Sequence, residues 1–291
     1  MRSSCAPGNG IRIAWLAAGL FASLNAFAEI DLTGMWMARI HEDEPERGTG
    51  PSLVEYQGLP INDSARQRAL SWDPSLHTLE EYQCRPHPAD YGSRHSHMRI
   101  WKDVNPETQE VTAWRSRRVW QAVERTIWMD NGRITRPPEY AGHSWQGFSV
   151  ARWEGDVLAI ETTHLKMSYV RRNGVPRSDK AVLREHLARH GNHLTFVTVL
   201  SDPVYLTEPL IRTSDYELDV KQGVTPYPCD VVVEITGRPK GFVPHYLPGQ
   251  NPFKREFAET YRLTEDAVLG GAHTMYPEYL EKARSGPVAA R

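Results

Sequence analysis

Between Met98 and Leu218 the chain repeats short runs rich in Val, Ile, Thr and Trp, separated by turn formers rather than by long helices. No other feature narrows the fold as much. The runs cover 98–104, 110–119, 123–129, 147–153, 157–163, 180–190, 194–200 and 210–218. Glu154-Gly155-Asp156 joins two of them as the clearest hairpin, and Asn131-Gly132 supplies a tight turn because both residues accept positive φ. Lys180 to His190 contains good helix formers, yet Gly191-Asn192 and the strongly β LTFVTVL run follow it, so one turn explains both halves as a hairpin. Further strands are expected over Leu32–Ile40 and Cys229–Thr236. The reading is mainly β: a closed antiparallel barrel, with a β-sandwich as the alternative. No repeat of fixed period points to a propeller or solenoid.

Helix is expected only in short pieces. Asn62 or Asp63 can cap the free amides ahead of Ala65–Leu70, Pro74 stops that helix, and one more turn fits 79–83, so 62–83 reads as a helical insertion. A proline- and aromatic-rich C-terminal arm, 237–291, follows the barrel domain of 29–236, with a short helix at Tyr276–Ala283.

The N-terminus reads as an address. Arg2 and Arg12 precede an apolar stretch from Ile13 to Leu24, and Ala26-Phe27-Ala28 offers small residues for signal peptidase, so 1–28 is a signal peptide cut before Glu29. Export to the periplasm or beyond is the expectation. No later run reaches the roughly 20 apolar residues of a spanning helix, so the mature chain is expected to be soluble, without a membrane span. Cys5 precedes the apolar core, unlike a lipoprotein cysteine. Cleavage removes two arginines and no acid, taking 34 basic against 36 acidic residues to 32 against 36. Such a balance creates no field for phosphate backbones, and nucleic acid is not expected as a partner.

Two cysteines survive cleavage, Cys84 and Cys229, and in an oxidising compartment pairing is the economical reading. The rival is a metal site, since Cys84, His87, His95 and His97 fall within fourteen residues. Their spacing fits no ordinary zinc module.

Leu32-Thr33-Gly34-Met35-Trp36 resembles the Gly-x-Trp signature that opens lipocalin and other calycin-like barrels. The region from Trp145 to Leu218, with WQGFSVARWEGDVLAIETTHLK, Glu185-His186-Leu187-Ala188-Arg189, Ser201-Asp202-Pro203-Val204-Tyr205 and Glu208-Pro209, is similar to a widespread group of exported bacterial proteins of unassigned activity. The first resemblance implies a lipocalin-like barrel with Trp36 near its floor; the second implies a shared fold and carries no reaction.

A closed barrel of that kind encloses a lumen able to hold one small apolar molecule. Leu183, Glu185, Leu187 and Arg189 share one strand face, and Leu158, Ile160, Thr162 and His164 another. Both faces carry leucines and are expected to point inward. His143 and Trp145 would stand at the mouth beneath the Pro137-Pro138 loop. The acid-base candidates are Glu185, His164 and His143; the ligand-binding candidates are Trp36, Trp145, Thr162 and Arg189. The reading weighed against these roles, and ahead of them, is that Glu185 and Arg189 close an internal ion pair. Arg115-Ser116-Arg117-Arg118 and Arg171-Arg172 read as solvated faces. No nucleophile elbow, P-loop or dinucleotide fingerprint is present, and no cofactor is called for. The expected function is a carrier for a small hydrophobic molecule; the alternative is a cofactor-free isomerase, hydratase or lyase acting on such a molecule.

Overall fold

Alternation of apolar and polar residues gives the sheet one face to bury, and the twisted sheet closes on that face as a barrel. In the computed structural model the strands are β1 (Gly34–Ala38), β2 (Met98–Val104), β3 (Val111–Arg118), β4 (Glu124–Met129), β5 (Phe148–Glu154), β6 (Val157–Thr163), β7 (Ser168–Arg171), β8 (Val175–Arg177), β9 (Val182–His190), β10 (His193–Ser201) and β11 (Leu210–Leu218). Nine of them close a barrel in the order β1-β11-β10-β9-β6-β5-β4-β3-β2, with β7 and β8 forming a separate ribbon. The structure describes residues 30–39, 51–92, 97–119, 123–130, 137–221, 223, 229–279 and 281. The expected signal segment, His95 and the Asn131-Gly132 turn lie outside them. Apart from Ile30, the described residues belong to one compact unit, Asp31–Arg291.

All barrel neighbours are antiparallel except β4 and β5, which pair in parallel with Ile127 opposite Ser149. The connection between them therefore returns the chain from one end of the barrel to the other. Within the expected Lys180–His190 segment, Val182–His190 is strand: β9 pairs with β10 from His190↔His193 to Val182↔Ser201. At β1, Gly34 has φ of 153° and lies so close to Leu218 that a Cβ would meet Leu218 Cδ1. Trp36, two residues on and fully buried, donates from Nε1 to Leu32 O at 3.0 Å. The Gly-x-Trp segment thus packs where β1 seals against β11.

The end of the barrel nearest Leu183 and Leu200 is covered by a second layer: α1 (Asp63–Leu70), α2 (Glu80–Gln83), α3 (Ala89–Gly92) and the β7–β8 ribbon. Tyr56, Ile61, Ala65, Ala69, Leu165 and Val175 pack there against Leu183 and Leu200. Asn62 caps α1, accepting from the Ala65 amide at 2.9 Å, while its own amide group donates to Val204 O at 2.8 Å. Asp202, buried in the loop after β10, accepts from Ser178 N, Ser178 Oγ and Val204 N at 2.7, 2.7 and 2.9 Å. The Ser201–Tyr205 motif is thereby accounted for as a clamp between ribbon, loop and helix.

Cys229–Thr236 is not a strand, contrary to expectation from its Val-rich sequence. Val232 and Val233 are exposed, and a closed barrel offers no edge for them to join. The Gln83 side chain substitutes for a ladder, donating to Val232 O and accepting from Val232 N, both at 2.8 Å. Cys84 and Cys229 are disulfide-bonded beside it. The arm then adds α4 (Glu256–Tyr261) and α5 (Glu265–Val268). It returns to the cap through Gly271 N on Leu59 O at 2.8 Å and Tyr56 N on Val268 O at 2.8 Å.

Candidate functional site

The lumen has a polar middle. On β4 the inward positions are Arg125, Ile127 and Met129; on β3 they are Trp114, Ser116 and Arg118; β9 contributes Leu183, Glu185 and Leu187. Arg125 and Glu185 have side chains 2% and 0% exposed and pair directly across the lumen. Arg125 Nη1 donates to Glu185 Oε1 at 3.1 Å and Nη2 to Oε2, so both carboxylate oxygens are taken by one guanidinium. Nη2 also donates to Thr162 Oγ1 at 2.6 Å and Nε to Ser149 Oγ at 3.0 Å, with the two hydroxyls 2.9 Å apart. A planar guanidinium with this many fixed acceptors holds one orientation.

Arg189 is not the partner of Glu185, which corrects the expected pair. Its Nε donates to Gly191 O at 2.8 Å, Nη1 donates to Asp31 O, and the guanidinium stands 5.3 Å from the centre of the Trp36 ring. One residue from the end of β9, a long side chain reaches the rim and keeps its charged head there.

His164 departs from the expected inward face. β6 ends at Thr163, and His164 takes φ of 56°, which breaks the alternation that keeps Leu158, Ile160 and Thr162 inside. Its ring lies 5.2 Å from that of His143, whose Nδ1 donates to Leu165 O at 2.9 Å. The two histidines therefore come together at the outer lip, and Glu185 stays inside. Trp145 follows on the same segment. Gly147, at φ of 67°, lets this segment lie against the end of β6, since a Cβ would strike Thr163 O and Thr162 Cγ2. In front of Trp145 a groove of about 360 Å³ runs along the outer face of β4 and β5, walled by Trp128, Phe148, Thr126, Gln146 and Pro86. Two cations flank the indole: Lys166 Nζ at 5.4 Å and the Arg85 guanidinium at 5.9 Å from the ring centre.

Behind the groove, the cap has its own buried polar groups. Arg177 Nε lies 3.1 Å from Asp90 Oδ1, both side chains nearly inaccessible. Burial raises the Asp90 carboxyl above the usual carboxylate range despite that cation. His87 Nδ1 and Tyr169 Oη are 2.5 Å apart. Desolvation, aided by Arg172 and Arg118, lowers the His87 imidazole from 6.5 to about 4, and burial raises the Tyr169 hydroxyl. His87 is therefore neutral near pH 7. An unfolded chain binds a proton at His87 below about pH 6.5 while the folded chain does not until about pH 4. The stability this residue supplies is complete above pH 6.5 and is lost as pH falls toward 4. Burial lowers His77 in the same direction. Thermal melts from pH 7 to 5 should show Tm falling in the native protein and falling less in a His87→Asn variant.

Other candidate residues are engaged locally. His97 Nδ1 accepts from Ala38 N at 3.1 Å, and Cys84 is in the disulfide and so is not a thiolate ligand. A lumen space of about 10 Å³ is lined by Leu32, Ile100, Trp114, Ser116, Arg118 and Arg125, among others. A cleft of about 590 Å³ separates the start of α1 from the arm around Gly270 and His273. Neither Glu185, His164 nor His143 lines the groove, the lumen space or the cleft. Thr162 belongs to the Arg125 network. Arg118 does not belong to a solvated face as expected: it is buried on the inward face of β3 with Trp114 and Ser116, because the strand alternation that points Arg115 and Arg117 outward turns it in. Arg125 was missed in the sequence, although it shares its strand face with Ile127 and Met129.

No helix among the described residues is long and apolar enough to cross a membrane. No family model, no curated protein and no solved structure matches the chain. The class defined by its own geometry is a closed, mostly antiparallel nine-stranded β-barrel, compatible with a lipocalin-like barrel.

Proposed function

We propose that this chain is an exported binding protein for a small, largely apolar molecule carrying an anionic group, and that the molecule sits in the groove beside Trp145. The observation behind this reading is the groove itself: about 360 Å³, within the range of small-molecule sites, walled by Trp145, Trp128 and Phe148. Arg85 and Lys166 stand beside its central indole and would meet a negative group there, while Glu124, the acid of the wall, has Arg117 at 3.8 Å. In the lumen, where a lipocalin-like barrel would carry its ligand, the space between Trp114, Arg118 and Arg125 is about 10 Å³, too small for such a molecule. The Cys84–Cys229 bond supports an oxidising compartment, and the Gly34 and Trp36 packing supports the lipocalin-like assignment.

The enzyme alternative, an isomerase, hydratase or lyase using Glu185 and His164, has less support. Both Glu185 oxygens are held by Arg125 in the lumen, and His164 lies at the outer lip. A general acid and base must reach one substrate.

The test uses 1-anilinonaphthalene-8-sulfonate, an apolar aromatic anion, titrated by fluorescence. Saturable binding is expected, and Trp145→Ala should weaken it by about 2 kcal/mol, roughly 30-fold, as loss of a central aromatic anchor does. A double Arg85→Ala, Lys166→Ala variant should weaken it by a smaller factor and remove its salt dependence. Equal affinity in native protein and Trp145→Ala would place binding elsewhere.

A further inference from the structure

Among the described residues, the barrel interior has one carboxylate, Glu185, for two cations, Arg118 and Arg125, at its polar middle. Arg125 takes Glu185, as described, and Arg118 is left without a carboxylate within ion-pair distance among the described residues. Arg118 is 6% exposed, hydrogen-bonds to Tyr216, and has Nη1 3.9 Å from the Met98 sulfur. A hydroxyl and a thioether do not compensate a buried positive charge, which needs an anion or a large change in protonation. Burial does lower the Arg118 guanidinium, although an arginine keeps its proton in proteins.

A second observation falls on the same space. Trp114 Nε1 is buried and has no hydrogen-bond partner, a condition that costs free energy unless an acceptor is supplied. Trp114, Arg118 and Arg125 all line the lumen space, whose other walls include Leu32, Ile100 and Phe196. Its volume, about 10 Å³, corresponds to one water or one monatomic ion. Sulfate, phosphate and carboxylate ligands are too large for it.

We propose that this space is a buried halide site, chloride being held by the Arg118 guanidinium and the Trp114 indole N–H. An ordered water would satisfy the indole but leave the second guanidinium uncompensated. The anion would make the charge of the polar middle balance: Arg118 and Arg125 against Glu185 and chloride. The Arg177–Asp90 pair in the cap is already balanced. The site differs from the Trp145 groove in place and in chemistry, so the failure of one reading leaves the other standing.

Two measurements test it. Crystals of the native protein soaked in sodium bromide should show an anomalous peak in the lumen between Arg118 and Trp114; ordered density without an anomalous signal would be water and would overturn the proposal. In solution, chloride should raise Tm relative to gluconate at equal ionic strength, by roughly 3 to 5 °C per tenfold increase above its Kd. Arg118→Gln should abolish that dependence, and an unchanged chloride response in this variant would also overturn the proposal. Should Arg118→Gln fail to fold, the bromide peak in the native protein decides alone.

Discussion

Glu185→Gln is expected to lower the free energy of unfolding by roughly 3 to 5 kcal/mol, because truncating one member of a buried pair leaves the other uncompensated. The carboxylate accepts from Arg125 through both oxygens in a space closed to solvent. A carboxamide can accept through only one, and its NH₂ faces a donor. Urea unfolding followed by tryptophan fluorescence measures the change. Arg189→Gln should cost about 1 kcal/mol or less, since its contacts are at the exposed rim. If both residues are replaced by apolar ones, Arg125→Met with Glu185→Leu, much of the loss should return, as it does when buried pairs give way to hydrophobic packing. A Glu185→Gln protein with native stability would show that the side chain does not face the lumen.

Reduction of the Cys84–Cys229 bond should be of similar size. The bridge closes 145 residues of chain, and the entropy it removes from the unfolded state corresponds to about 4 to 5 kcal/mol. Guanidinium titrations with and without reductant, or of a Cys84→Ser, Cys229→Ser variant, should separate by that amount. The native fold offers the arm near Cys229 little other attachment: Gln83 holds Val232, while Val231, Val233 and Ile235 are exposed. Proteolysis of the reduced protein should accordingly begin between 229 and 236. An unchanged midpoint would mean that the unfolded chain is already restricted without the bond.

The barrel strands were legible because period-two patterning and turn residues act locally. Met98–Val104 and Val157–Thr163 are observed as read, and the Lys180–His190 segment, whose residues favour helix, became a strand because β6 and β10 pair with it on both sides. The β7–β8 ribbon went unread, although Asn173-Gly174 between its strands is a hairpin signal; its strands are simply too short to show alternation. Partners across the lumen were less accessible. A strand-face argument gives the neighbours of Glu185 along β9, but Arg125 arrives from β4, the third strand round the ring, beyond β6 and β5. His164 was misplaced because a single left-handed residue turned the chain outward. The Trp145 groove depends on where one long connection ends, which no local pattern encodes.

That connection follows from parity. In a closed ring whose neighbours all run in opposite directions, orientations must alternate without conflict, and only an even count permits it. Nine is odd, so at least one neighbouring pair must run the same way, and β4–β5 is where the mismatch is placed. A tight hairpin cannot join such a pair, because it would reverse the second strand. The connection must bring the chain back to the other end of the barrel, and it rejoins the sheet at Ser144 to Phe148, laying Trp145 beside β4. The orientational defect of an odd ring thus creates a surface recess that an even ring has no topological need to make. Trimming this return to a two-residue turn should therefore prevent closure of the ring, however well the new turn suits its neighbours.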